Sequence, residues 1–525
     1  MSQSRRAGRR RRPLLFLVLV LVLVAGAATA AWRLLRPGES ADERTAAVDT
    51  FLSAWTQGDG EGAGRATDRP DEATARLAAL RKDLPGTRFE LRRGARDGDA
   101  YDVRVTLRLR GGDRYAYTTS VPLARSGDGW RVKWSSAVMH PRLTDGSKLA
   151  VADGTRRAAI QAADGTPLRG LAPALVGTPG SSGLEFRYDR QLAGRPADTV
   201  AIVGTSSGRT LATLHTSPGT SGDPVRTTLD IPTQKAAEKA LHGLSKNAAL
   251  VAVRPSTGEI LAVADNPPTG ENRALRGHYP PGSDFKVVTA AALIGSGMNT
   301  DTPAPCPRYV TVNGQSFENQ DLFELPAGAT FADDFAHSCN TGIIAQRDRL
   351  APDALTETAK AFGIGPEWDV GAVTFDGSVP VAESANDQAA AMIGQGRVQA
   401  SPLVMASVAA TVKDGTFRQP VLVPAAVKER AKAPVRLDPG VAAQLRTLMR
   451  AVVTEGSGKA LRGMPGEPGA KTGTAEYGTE NPPRTHAWFI GYRGDLAFAV
   501  LIEDGGSGGK DAGPVAAAFL EGLPG

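Results

Sequence analysis

Two cysteines and six histidines are all that 525 residues offer to thiol or imidazole chemistry. Cys306 and Cys339 are too few for a disulfide scaffold and lack zinc-site spacing, so they stand either as two buried thiols or as one bridge, which an exported chain permits. The histidines form no HExxH or other ligand spacing, so metal catalysis finds no support and neither metal nor cofactor is expected. Repeats of fixed period are lacking. Charge of one sign is scarce as well: Arg5, Arg6 and Arg9 to Arg12 account for the whole formal charge of +6, and the remaining acids and bases balance. A nucleic-acid surface needs cations clustered along one face to neutralise phosphates, so no nucleic-acid partner is expected.

One long apolar run is present. Leu14 to Trp32 is uncharged and dominated by Leu and Val, about the 20 residues a helix needs to cross a bilayer. Residues 1–13 therefore read as a cytoplasmic basic tail and 14–35 as a transmembrane signal anchor, with the cation-rich flank held inside and the bulk of the chain outside. The small residues from Ala25 to Ala31 equally suit the cleavage region of a removed signal peptide, and either reading exports the rest. A chain of this length exceeds one ordinary core, so several domains are expected.

Val48, Phe51, Leu52 and Trp55 recur at helical spacing, and Leu77, Leu80 and Leu84 mark a second helix that Pro85 ends. Alternating apolar residues from Tyr101 to Leu109 and from Tyr115 to Trp134 predict a sheet. Residues 38–145 thus read as a small α+β domain whose aromatic stripes are core. Lys148 to Asp223, rich in Gly, Ser, Thr, Pro and Asp, reads as a loosely structured connecting module. A further domain opens near Val225, with a strand over Thr227 to Ile231, a helix over Gln234 to Leu241 and a hairpin from Ala248 to Ala264. At the far end, Trp488 to Tyr492 and Leu496 to Ile502 predict another hairpin, and Val515 to Leu520 a last helix. Strands from both ends around a helical middle imply one sheet closed by the first and last elements.

Three short motifs lie in this last domain. In the first, Pro280, Pro281 and Gly282 precede Ser283-Asp284-Phe285-Lys286 and the helix-forming run Val287 to Leu293. A serine opening a helix meets free backbone N–H groups and the positive dipole end. Lys286 follows one turn later on the same face, where burial would favour its neutral form and let it take the serine proton. Taken alone, the string is better explained as a helix cap with a solvated lysine. The second is Ser338-Cys339-Asn340, a hydroxyl and an amide two residues apart at the end of a helix carrying Phe331 and Phe335. Ser338 there suits relaying a proton and Asn340 holding a substrate amide. The third is Lys471-Thr472-Gly473-Thr474, a strand whose edge suits an extended peptide, with Gly473 leaving room for substrate backbone and Lys471 and the threonines facing a carboxylate.

The order Ser-x-x-Lys, Ser-x-Asn, Lys-Thr-Gly resembles the motif set of the penicillin-binding transpeptidases. The resemblance runs through 225–525, including Thr228-Leu229-Asp230, Gly394-Gln395-Gly396 before Ser401-Pro402-Leu403, and Trp488-Phe489-Ile490-Gly491. More loosely, the helix at Phe51 to Trp55, the strand at Trp130 to Trp134 and His140-Pro141 resemble the NTF2-like domain of the methicillin-resistance class B proteins. Ser182-Gly183-Leu184-Glu185 with Tyr188-Asp189 resembles the pedestal or dimerisation module that follows it, here 146–222 with a degenerate motif around Ile160. Asp284 departs from the small hydroxyl residue common after the family's serine.

The resemblance implies an α+β multidomain protein whose C-terminal β-lactamase-like domain, 225–525, has an antiparallel sheet flanked by helices. It implies a D,D-transpeptidase that cross-links peptidoglycan stem peptides and is acylated by β-lactams, with Ser283 as nucleophile and Lys286 as its base. Ser338 and Lys471 would return the proton to the leaving amine, Asn340 would orient the peptide, and Thr472, Gly473 and Thr474 would bind the substrate. Gln395 reads as a turn residue near the cleft. A membrane location, a partner glycosyltransferase and a divisome or elongasome setting are expected with it. The same residues would serve a D,D-carboxypeptidase, and a non-catalytic β-lactam receptor or divisome scaffold would keep the fold. No Glu-x-x-Leu-Asn string lies between Ser338 and Lys471 to activate water, which counts against a β-lactamase.

Overall fold

The computed structural model describes residues 43–524 apart from 111, 128, 154–156, 195–197 and 217–218. The expected basic tail and membrane anchor lie outside the described residues. Among those described, no helix is long and apolar enough to cross a membrane. The chain forms two compact units: one takes in the chain up to Thr155 with Arg195–Ser221, the other Arg156–Gly194 with Gly222–Gly525.

In the first unit the helix Glu43–Gln57 buries Val48, Phe51, Leu52 and Trp55, the single stripe that three- and four-residue spacing creates. Pro70–Asp83 begins on a proline whose fixed φ suits a first helical residue, and it buries Leu77 and Leu80. Both share a core with a four-stranded antiparallel sheet in sequential order: Arg88–Asp97, Ala100–Arg108, Arg114–Ser126 and Gly129–Val132. The first of these strands escapes the sequence reading because its arginines mask the pattern and only Phe89 is buried. Trp134 is buried beyond the end of the last strand.

The connector over Lys148–Asp223 is more regular than expected. Ser147–Asp153, Asp198–Gly204 and Thr210–Thr216 form a three-stranded antiparallel sheet, and Leu149, Val200 and Ile202 join the first unit's core. The pairing joins strands far apart in sequence, so no short-range pattern announces the sheet. Leu175, Leu184 and Leu192 of the intervening segment instead join the second unit's core.

The second unit is built on a five-stranded antiparallel sheet of β1 (Ala248–Val253), β2 (Ile260–Asn266), β3 (Gly469–Tyr477), β4 (Arg484–Arg493) and β5 (Leu496–Ile502), in the order β2-β1-β5-β4-β3. First and last strands meet, Ala248 opposite Ile502. Around the sheet lie α1 (Ile231–Leu241), α2 (Lys286–Gly295), α3 (Phe331–His337), α4 (Asn340–Ala345), α5 (Pro402–Asp414), α6 (Pro439–Thr454) and α7 (Gly513–Glu521). β1 is buried at every position because both faces are covered: Ala249, Val251 and Val253 pack with α5, while Ala248, Leu250 and Ala252 pack with α1 and α7. The strand expected over Thr227–Ile231 does not form beyond Val225–Arg226, which pairs with Ile160–Gln161. The Thr228 hydroxyl instead binds the carbonyls of Ile260 and Val421, each at 2.8 Å, and Asp230 caps α1 through the Thr233 amide.

Candidate active site

Ser283 sits in a 3-10 turn, Gly282–Phe285, that runs directly into α2, so it precedes the α-helix by three residues rather than opening it. The turn lies against β3. Gly282 has φ +55°, and a Cβ there would stand 2.5 Å from the Thr474 carbonyl, so only glycine lets the two backbones abut. Gly473 answers from the strand side: its Cβ would meet the Pro281 carbonyl at 2.9 Å and the Asp284 carboxyl at 3.0 Å. Room that the sequence reading reserves for substrate at Gly473 is thus taken up by the turn that carries Ser283.

Ser283 is half-buried, whereas Lys286 is wholly buried. Lys286 Nζ lies 2.8 Å from the Ser338 carbonyl, 2.7 Å from Asn340 Oδ1, 3.2 Å from the Cys339 carbonyl and 3.4 Å from Ser338 Oγ. Its hydrogen bonds therefore go to the second motif and not to Ser283. Burial, reinforced by the positive charge of Lys471 and opposed by Asp334, holds the amine well below the usual lysine range. A neutral amine so placed can accept a proton.

The second motif is aimed by the end of α3. Ser338 follows its last residue in the left-handed region at φ +62°, an uncommon conformation for a residue with a Cβ, and thereby turns the chain into α4. Cys339 is disulfide-bonded to Cys306, which settles the choice the sequence leaves open. Asn319 supports the turn by accepting from the backbone amides of Asn340 (2.7 Å) and Thr341 (3.1 Å), a contribution with no motif to betray it. Asn340 donates its amide to the Glu318 carbonyl at 2.9 Å.

Lys471 is also wholly buried and donates to Ser338 Oγ at 2.9 Å and to the Thr472 carbonyl at 2.8 Å. Burial pulls it down to about 8, and Asp284 opposes that shift. Thr472 hydrogen-bonds Ser457 at 2.6 Å, while Thr474 donates to Gln320 at 3.1 Å and accepts from the Gly508 amide at 3.3 Å. Ser457 and Gln320 are further contributors that sequence reasoning misses, lying on loops outside any motif. β3 is the edge strand of its sheet, and Gln395, with its amide turned to match, pairs with the Glu476 backbone at 2.8 and 3.2 Å. The three motifs thus converge on Ser338 Oγ, which both lysines reach, beside a turn that presents Ser283.

Comparison with known proteins agrees with this geometry. Residues 248–521 match the penicillin-binding protein transpeptidase domain, and residues 43–147 match the NTF2-like N-terminal transpeptidase domain. The peptidoglycan D,D-transpeptidase PbpA of Mycobacterium tuberculosis is 30% identical over 374 residues, covering 60% of this chain and 75% of that protein. Its counterpart in Mycolicibacterium smegmatis is 32% identical over 380 residues, with the same coverage. Among solved structures, the ceftriaxone acyl-enzyme of M. tuberculosis penicillin-binding protein A superposes with TM-score 0.59 at 26% identity, covering 70% of this chain and 98% of that one. The D,D-transpeptidase domain of a peptidoglycan glycosyltransferase from Eggerthella lenta gives 0.57 at 25% identity, with the same coverage. Since more than half of the sequence matches one family model, and the motifs that define its chemistry meet in one cleft, the chain belongs to the penicillin-binding protein transpeptidase family.

Proposed function

We propose that this protein is a serine D,D-transpeptidase that cross-links peptidoglycan stem peptides through an acyl-enzyme on Ser283 and is acylated by β-lactams at the same atom. The observation that carries the reading is the meeting of Lys286 and Lys471 at Ser338 Oγ, 3.4 and 2.9 Å away, next to the Ser283 turn. The relatives are D,D-transpeptidases, and the M. tuberculosis protein is known as ceftriaxone and penicillin G acyl-enzymes, which supports the same chemistry here.

Ser283 Oγ attacks the penultimate D-Ala carbonyl while Lys286 takes its proton. As the C–N bond breaks, that proton passes through Ser338 to the departing D-Ala amine. An amine from a neighbouring strand then attacks the ester, and Ser283 recovers a proton. The tetrahedral oxyanion is held by the backbone N–H groups of Ser283 and Thr474, whose backbones the Gly282 contact brings together; one such donor is worth about 2.7–4 kcal/mol. Asn340 orients the peptide, and Thr472 and Thr474 hold the terminal carboxylate beside β3, the edge strand of its sheet.

The arginine-rich tail and the apolar run at Leu14 to Trp32 support anchoring in the cell membrane with the catalytic unit outside, where peptidoglycan and a glycosyltransferase partner are. Fluorescent penicillin tests the acyl-enzyme: the wild type is expected to label and Ser283→Ala not to, with equal melting temperatures. No labelling of the wild type, or equal labelling of both, would overturn the assignment. Supplied with lipid-linked peptidoglycan, the enzyme is expected to yield cross-linked dimers; trimmed monomers alone would make it a carboxypeptidase.

A further inference from the structure

An edge strand presents a row of backbone groups that a further strand could pair with, and on β3 a side chain meets them. Gln395 stands half-buried in the turn Gly394-Gln395-Gly396, just after the helix Ala385–Met392. Both glycines lie in the left-handed region, at φ +68° and +65°, and the Gln395 N–H closes the turn on the Ala390 carbonyl at 2.9 Å. This turn is fixed to the one that carries Ser283. The Gly282 N–H donates to the Gly394 carbonyl at 2.9 Å, and a Cβ on Gly394 would stand 2.1 Å from the Gly282 carbonyl.

So held, the Gln395 side-chain amide accepts from the Glu476 N–H at 2.8 Å and donates to the Glu476 carbonyl at 3.2 Å. Exchanging both backbone bonds with one residue is what a neighbouring antiparallel strand does at a hydrogen-bonded pair. A glutamine amide carries the donor and acceptor of a peptide group, so Gln395 stands in for one residue of an absent strand.

That position lies in the path of the donor peptide. With the scissile carbonyl at the Thr474 N–H and the terminal carboxylate at Thr472 and Thr474, the peptide runs antiparallel to β3, and its preceding residues head toward Glu476. Thr474 and Glu476 are two apart on the strand and turn their backbone groups to the same edge. The penultimate D-Ala pairs with Thr474; the next pairing, two residues earlier in the peptide, needs the N–H and C=O of Glu476. Gln395 already holds both.

We propose that Gln395 is a specificity-determining residue, a strand mimic that ends substrate pairing at Thr474. The inference rests on the transpeptidase reading above. With Glu476 taken, the cleft reads the D-Ala-D-Ala end, and the rest of the stem peptide turns away from β3. An acyl group too short to pass Thr474 is indifferent to the side chain.

The test compares two thioesters on the full-length protein, read by the thiol that acylation of Ser283 releases. N-acetyl-D-Ala thioglycolate reaches Thr474 alone, and the same thioester lengthened to N-acetyl-Ala-Ala-D-Ala reaches Glu476. In Gln395→Ala the longer donor can make two further backbone hydrogen bonds, so its kcat/KM relative to the shorter is expected to rise about fivefold or more over the wild-type ratio. Damage to the turn slows both donors alike, and an unchanged ratio overturns the inference while leaving the transpeptidase reading in place. A ratio that falls means that Gln395 holds the long peptide rather than stopping it, and overturns the inference too. Wild type that labels with fluorescent penicillin but uses neither thioester also overturns the inference alone, because pairing at Thr474 then does not carry a donor. Wild type that neither labels nor uses a thioester overturns the transpeptidase reading itself. Should Gln395→Ala melt well below the wild type, Gln395→Asn, one methylene too short to reach both groups, is read the same way; if neither variant folds, the side chain belongs to the architecture and the inference falls.

Discussion

Charge is handled in opposite ways at the surface, where both units pair it, and in the cleft of the second unit, where it is buried. In the first unit, cations sit at the surface beside accessible partners, as Arg93 does with Asp49 at 2.8 Å and Lys148 with Asp83 at 2.7 Å, and the buried Thr119 hydroxyl finds the Ala137 carbonyl at 2.7 Å. In the cleft of the second, Lys286, Lys471, Asp284 and Asp334 are all buried, and among the described residues no ion pair within 4.0 Å involves any of them. Surface pairs contribute little and can be lost cheaply. Buried, loosely matched charges oppose folding and shift proton affinity, so they persist where reactivity rather than stability is served. The first unit is organised as a scaffold, and the cleft as a place where proton affinities are moved.

The largest expected effect that would break this contrast is a core deletion in the scaffold. Phe51 is fully buried, with the rings of Trp55 and Trp134 at 5.7 and 6.4 Å. Phe51→Ala is expected to cost the first unit about 3–5 kcal/mol. Below the lowered melting transition, penicillin acylation is expected to keep its wild-type rate. Thermal melts combined with labelling check this, and a rate falling in step with the unit's stability would show that acylation depends on the scaffold.

The same contrast decides what a sequence can reveal. Helices with one clear stripe, such as the Phe51 helix, and strands buried on both faces, such as Ala248–Val253, announce themselves by period or by unbroken apolarity. The strand Arg88–Asp97 and the sheet that Ser147–Asp153 forms with distant partners do not, because they exist through pairing rather than through their own composition. In the cleft, Ser283, Lys286, Ser338, Asn340, Lys471 and Thr474 are legible as residue types at fixed spacing. That Lys286 turns its hydrogen bonds to Ser338–Asn340, that Gly473 is occupied by Asp284, and that Asn319, Ser457 and Gln320 support the motifs depends on three-dimensional proximity and leaves no local trace.

One substitution made in both units sharpens the comparison at a smaller scale. A Cβ on Gly129 in the scaffold meets nothing within 4 Å, whereas one on Gly473 meets a backbone carbonyl and a carboxyl at about 3 Å. Gly129→Ala is expected to stay within about 0.5 kcal/mol of the wild type. Gly473→Ala is expected to cost about 1–3 kcal/mol and to slow acylation at least tenfold, because the strain is relieved by displacing the turn that holds Ser283. Denaturant melts and labelling rates measured side by side decide it. Equal effects at the two sites would mean that the turn yields without moving the nucleophile.

A substitution of modest effect is the most direct probe of buried charge. Asp334 is buried on α3 with neither carboxylate oxygen hydrogen-bonded, and burial, opposed by Lys286, raises it to about 8. In the unfolded chain an aspartate titrates near 3.9. Between those two values the folded protein binds more protons at this site than the unfolded one, so the contribution to stability is fully present below about pH 4 and declines as pH rises toward about 8. Asn cannot titrate, and Asp334→Asn loses no hydrogen bond made by the carboxylate. The variant is therefore expected to gain on the wild type between about pH 5 and about pH 8, by on the order of 1–2 kcal/mol after relaxation of the site. Parallel melting curves for the two proteins over that range would mean that Asp334 is ionised in the folded state, with its charge spent on Lys286. The neutral base that the mechanism requires would then have to be restored by the charge on Lys471.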